Sequence, residues 1–173
     1  MLAAAACRTE PATQAPEADA SLETSTVSET GFGPIVVGMT PLEARTAAGG
    51  RLQLPERPGA EGCDYASVPG MEGLEGLSFM IENSRVVRVD VRARGIRTVE
   101  GGGVGDTEAG IQELYPGRVA VSPHKYTEGH YLTVAARNAA GGSVQLIFET
   151  DGSHVTRFRG GLLPQGAYVE GCG

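Results

Sequence analysis

The chain has 173 residues, with 40% hydrophobic but only 5% aromatic residues and no Trp, so its core must rest on aliphatic side chains. A formal charge of −7 argues against nucleic-acid binding, which needs a basic face to neutralise phosphates. No run of about 20 apolar residues occurs, so no helix is expected to span a membrane.

The chain opens MLAAAACRTEPATQAPEADASLETSTVSET. From Arg8 onward this stretch is Ala, Pro, Thr, Ser and Glu with little to bury, and residues 8–32 are expected to form a disordered tether. The small residues Ala4-Ala5-Ala6 running into Cys7 resemble the end of a bacterial lipoprotein signal peptide. Residues 1–7 then read as a truncated remnant of such a signal, with Cys7 as the lipid-anchor residue. Arg8, rather than Asp, after that cysteine points by analogy to the outer membrane, with the protein facing the periplasm. The alternative is an ordinary cytosolic start followed by a floppy tail.

With Cys7 assigned to lipid, Cys63 and Cys172 remain as an even pair, which an oxidising compartment would join as a disulfide. Neither has the close spacing of a zinc or redox motif. The bridge would close a loop of about 110 residues and stabilise by about 4–5 kcal/mol at most. Two separate thiols are the alternative.

Thr40-Pro41-Leu42-Glu43 has the cap, the first-position proline and the third-position acid of a helix start, predicting a helix to about Ala48 that stops at Gly49-Gly50. A related start returns at Val104-Gly105-Asp106-Thr107, predicting a second helix to Tyr115, before Pro116-Gly117. At a constant offset Val37 aligns with Val104, Gly38 with Gly105 and Thr40 with Thr107. Segment 77–91 resembles 144–160 in the same way, each alternating apolar and polar residues around a turn, at Asn83-Ser84 and Asp151-Gly152, as a hairpin requires. Further strands are expected at 64–68, 118–122, 131–137 and 166–170.

These patterns predict an α+β fold of two tandem helix-plus-antiparallel-sheet units, residues 33–98 and 99–173, with the helices on one face of the sheet. Leu77, Phe79, Ile81, Val87, Val89 and Val91, with Val144, Leu146, Phe148 and Phe158, should face the helices. Met80, Glu82, Arg88, Asp90 and Arg92, with Gln145, Ile147, Glu149, Arg157 and Arg159, should form an open mixed-charge face. Arg88 and Arg157 are therefore candidate partner contacts.

The motif carried by Ile35, Gly38, Met39, Thr40 and Glu43, followed by a glycine stop and antiparallel strands, resembles the start of the small β-barrel-assembly lipoproteins of bacterial outer membranes. Two such units in tandem resemble the β-lactamase-inhibitor-protein fold. The resemblance implies non-enzymatic protein binding in the cell envelope, with no cofactor and an envelope protein as partner. A soluble inhibitor-like binder of an exported enzyme is the rival reading.

Nothing in the chain matches a nucleophile elbow, a phosphate loop with its lysine, or a His-Glu-x-x-His zinc helix. GGGVGD at 101–106 reads as a linker. The polar stretch SPHKYTEGHY, residues 122–131, offers Tyr126, His130 and Tyr131 as recognition residues at a loop tip. A weaker alternative brings His124, Glu128 and His130 together on a metal, with His154 joining from the second hairpin.

Overall fold

The computed structural model describes residues 22–56, 62–135 and 143–172. Cys7 and the start of the proposed tether lie outside the described residues. A 3-10 turn at Leu22–Thr24 leads into three two-residue strands, β1 (Val27–Ser28), β2 (Gly31–Phe32) and β3 (Ile35–Val36), which pair as a small antiparallel sheet. There follow α1 (Pro41–Ala47), β4 (Cys63–Ser67), β5 (Leu77–Glu82) and β6 (Arg85–Val91). Then come α2 (Glu108–Leu114), β7 (Val119–Pro123), β8 (His130–Ala135), β9 (Val144–Thr150) and β10 (Val155–Leu162). A 3-10 turn at Gln165–Ala167 begins the C-terminal segment.

Strands β4 to β10 form a single seven-stranded antiparallel sheet in the order β4-β5-β6-β10-β9-β8-β7. This overturns the α+β expectation of two helix-plus-sheet units. The described residues are mostly β, and the two α-helices among them are only seven residues each. The reason lies at β6 and β10, where Phe158 pairs with Val91 and Gly161 with Arg88. Each hairpin would otherwise end in a row of unpaired backbone groups, and joining them satisfies both edges. Most of the cover on the core face comes from the small sheet and from loops, through Phe32, Ile35, Leu52, Leu74 and Ile96. The helices contribute one fully buried residue each, Ala44 and Ile111.

Residues 22–32, expected to belong to the tether, are packed instead. Leu22, Val27 and Phe32 are buried in the same core as Phe79 and Phe148. Three well-spaced apolar residues are enough to dock a segment whose composition is otherwise polar. Close approach requires Gly160 opposite this sheet, because a Cβ there would lie 2.4 Å from the Ser28 carbonyl oxygen.

The local signals hold at the helix starts. Thr40 Oγ1 accepts from the Glu43 amide at 3.3 Å, and Glu43 Oε2 accepts from the Thr40 amide at 2.8 Å, completing the capping box. Thr107 caps α2 by accepting from the Gly110 amide at 3.1 Å. The β5–β6 turn puts Asn83 and Ser84 at φ 50° and 58°, the left-handed pair of a type I′ hairpin.

Two further expectations are corrected. Ile81 pairs with Val86 but Met80 with Arg88, so Val87 is an extra residue in a bulge. Val86, not Val87, therefore joins the core. The strand expected at 166–170 does not form: the chain there turns off the end of β10 and crosses the opposite face of the large sheet.

Candidate binding groove

The face away from the core carries alternate residues of each strand. Cross-strand register aligns Tyr65, Met80, Arg88 and Gly161 in one row, and Ser78, Asp90, Arg159 and Ile147 in the next. Arg157, Glu149 and Tyr131 make a third. Sequence alternation places these residues on one face correctly, but the face is not open. Arg88 is 2% exposed, Asp90 7%, Glu149 1% and Arg159 4%.

The cover is the segment 163–172, which lies over the sheet as a strap. Arg88 Nη1 donates to the carbonyls of Gln165 and Tyr168 at 2.9 and 2.8 Å, and Arg159 Nε donates to the Gly166 carbonyl at 2.7 Å. Gly166 sits so low on β10 that a Cβ would meet the Gly161 carbonyl oxygen at 3.1 Å. The far end is tied by the Cys63–Cys172 disulfide to edge strand β4. Each guanidinium is also held from below: Arg88 Nε donates to Asp90 at 2.8 Å, Arg88 Nη2 to the Tyr65 hydroxyl at 3.0 Å, and Arg159 pairs with Glu149. Burial and the nearby Asp90 carboxylate push the Tyr65 phenol upward, so it stays protonated.

Glu149 is the hub of the third row. Burial opposes its ionisation, but the hydrogen bonds and charge of Arg159, with Arg157 and His124, outweigh this and hold its carboxyl below the usual range. Arg157 Nε reaches Glu149 Oε2 at 2.5 Å and His124 Nε2 lies 3.1 Å from the same oxygen. The His124 ring stacks on Tyr131 with centroids 4.5 Å apart.

Beside the strap this floor opens into a groove of about 410 Å³, lined by Arg92, Arg157, His124, Glu128, Thr127 and Asp151 among others. The β7–β8 loop forms one wall. Its tip carries Tyr126, 56% exposed, whose hydroxyl contacts Glu170 of the strap, while Lys125 Nζ lies 3.4 Å from the same carboxylate.

No protein-family model matches this chain, and no curated protein or solved structure is detectably similar to it.

The structure thus sorts the residues expected to bind a partner. Arg157 lines the groove, Tyr126 stands on the adjoining loop against Glu170, and Tyr131 lies against the His124 ring. Arg88 does not line the groove, because it is buried under the strap and spends its donors on Asp90, Tyr65 and two carbonyls. His130 points to the other face of the sheet, where Nδ1 lies 2.8 Å from Glu108 Oε1 at the start of α2. His124 and His130 therefore do not share a site, and no cluster of metal-ligating side chains occurs among the described residues. His154 is exposed beside Thr107, in a bridge that joins the β9–β10 turn to the α2 cap.

Sequence reasoning missed the role of Glu149 and the existence of the strap. A signal for the first was available: Arg157 and Arg159, two apart across a turn from Glu149, must face it if the hairpin forms. For the second, only the long separation of Cys63 and Cys172 pointed to a late segment pulled back onto the sheet.

Proposed function

We propose that this chain is an exported, lipid-anchored module of a bacterial cell envelope that binds an envelope protein without catalysing a reaction. The observation that carries this reading is the Cys63–Cys172 pair, whose Cα atoms lie 5.6 Å apart, within the range of a disulfide. Such bonds persist in oxidising compartments. Cys7 is then left for acylation, as its small-residue context suggests. No helix among the described residues is long and apolar enough to cross a membrane, and the anchor would be the lipid alone.

Binding is assigned to the groove and its loop. Arg157 offers a guanidinium whose side chain is 36% exposed, and Tyr126 offers an exposed ring on the loop beside the groove. The buried carboxylate facing the groove is a poor general base, because Arg159, Arg157 and His124 already occupy its oxygens. Positioned donors without a free base suit recognition better than proton transfer.

The test is crosslinking in intact envelopes. Arg157→Gln and Tyr126→Ala should each abolish a crosslinked species formed by the wild-type chain while leaving the unfolding midpoint within a few degrees of wild type. A crosslink that survives both substitutions would rule out the groove.

A further inference from the structure

We propose that the Cys63–Cys172 disulfide is a redox latch on the strap, and that its reduction releases residues 163–172 while the seven-stranded sheet stays folded. The proposal does not depend on the groove's having a partner.

Polar contacts do most of the work of holding the strap. Among residues 163–172 only Gly166 is fully buried; Leu163 and Val169 are partly buried, and Ala167 and Tyr168 are exposed. With two partly buried apolar side chains and none fully buried, the segment gains only modestly from the hydrophobic effect against the entropy of ordering ten residues. Its non-covalent hold is polar: two arginines donating to three carbonyls, Leu163 N–H donating to the Ser143 carbonyl at 2.6 Å, and contacts of Gln165 with Glu82 and of Glu170 with Tyr126 and Lys125. Water competes well for most of these groups once the segment can lift.

The face beneath is built to tolerate exposure. Arg88 keeps Asp90 and Tyr65, and Arg159 keeps Glu149, when the strap leaves, so opening uncovers satisfied ion pairs rather than an apolar patch. Met80 and Ile147 are the buried apolar side chains in the rows of Arg88 and Arg159. The sheet itself does not need the strap, since its core lies on the other face.

Both cysteines are partly exposed, so an external dithiol can reach the bond. One thiolate of the dithiol attacks a sulfur, forming a mixed disulfide and expelling the other cysteine as thiolate, which takes up a proton. The second thiol of the reagent then displaces the remaining cysteine. Cys63 and Cys172 each end as a thiol, and the reductant ends as its own disulfide. Release would also free Lys125 and Tyr126 from Glu170, loosening the loop that walls the groove.

The test is amide hydrogen exchange on the full chain, oxidised, reduced with dithiothreitol, and as Cys172→Ser. Exchange at Leu163, Ala167 and Tyr168 should accelerate about tenfold or more in both unlatched forms, with Phe79, Val89 and Phe148 unchanged. Strap amides that keep their oxidised rates after reduction would overturn the proposal. So would sheet amides that accelerate in step with them, since the latch would then hold the whole fold.

Discussion

Arg88 and Gln165 lie 77 positions apart in the chain, yet Arg88 Nη1 donates to the Gln165 carbonyl at 2.9 Å. That bond joins a strand in the middle of the sheet to the chain's last segment, and it turns a face that would be solvated into an interior. The charges on that face are consequently structural as well as available at the groove, and the two roles separate by position.

Removing the buried member of each pair should be costly. Arg88→Ala leaves Asp90 buried without its cation and two carbonyls without their donor, an expected loss of about 3–5 kcal/mol in urea unfolding. Arg157→Ala, at a partly exposed side chain, should cost about 1 kcal/mol or less. Equal losses would contradict the burial assigned to the strap face.

Acid should expose the same network. The Glu149 carboxyl is held below its ordinary value of 4.5, so its ionised form stabilises the fold above that pH. The contribution is lost as pH falls from the unfolded value through the lowered native one. Wild-type stability should therefore drop more steeply below about pH 4.5 than that of Glu149→Gln, measured by urea unfolding at several pH values. Parallel curves would mean that Glu149 is not ionised preferentially in the folded state.

Gly160 should resist substitution. Its Cβ would sit 2.4 Å from the Ser28 carbonyl oxygen, a backbone atom with no rotamer to move. Gly160→Ala is expected to cost about 1–3 kcal/mol and to increase exchange at Val27 and Phe32, as the small sheet is pushed off β10. An unperturbed small sheet would show that it does not pack as described.

The two helix caps should differ. Thr40→Ala removes the cap of a complete capping box, whereas Thr107→Ala removes a single bond to the Gly110 amide. Each should cost about 1 kcal/mol, with Thr40 the larger, in thermal unfolding.

Legibility in the sequence follows the range of the interactions. The α1 cap, the Asn83-Ser84 turn and the alternation of 77–91 depend on neighbours within a few residues, and the elements form where those residues stand. The pairing of Cys63 with Cys172 was readable from parity. Several features were not. Whether β6 joins β10 is decided by two edges that carry no special side chains apart from Gly160 and Gly161. The bulge at Val87 shifts one residue within an all-apolar pair, Val86-Val87, where either choice looks alike. The strap's mixed composition, with Pro164 and two glycines among scattered apolar residues, reads as a short closing strand or a loop, and only the positions of Arg88 and Arg159 reveal what it lies on. Alternation puts Arg88 and Arg157 on one face, where both stand, but it reports a face and not what covers it, so the burial of Arg88 under the strap was not legible.

The proposed function makes this an oxidised, lipid-anchored envelope protein. The intact mass of the native chain isolated from envelopes, alkylated with and without prior reduction, tests it most directly. The account predicts an acylated Cys7 as the mature N-terminus, with Cys63 and Cys172 refractory to alkylation until reduced. An unacylated chain whose three cysteines are all alkylated without reduction would contradict it.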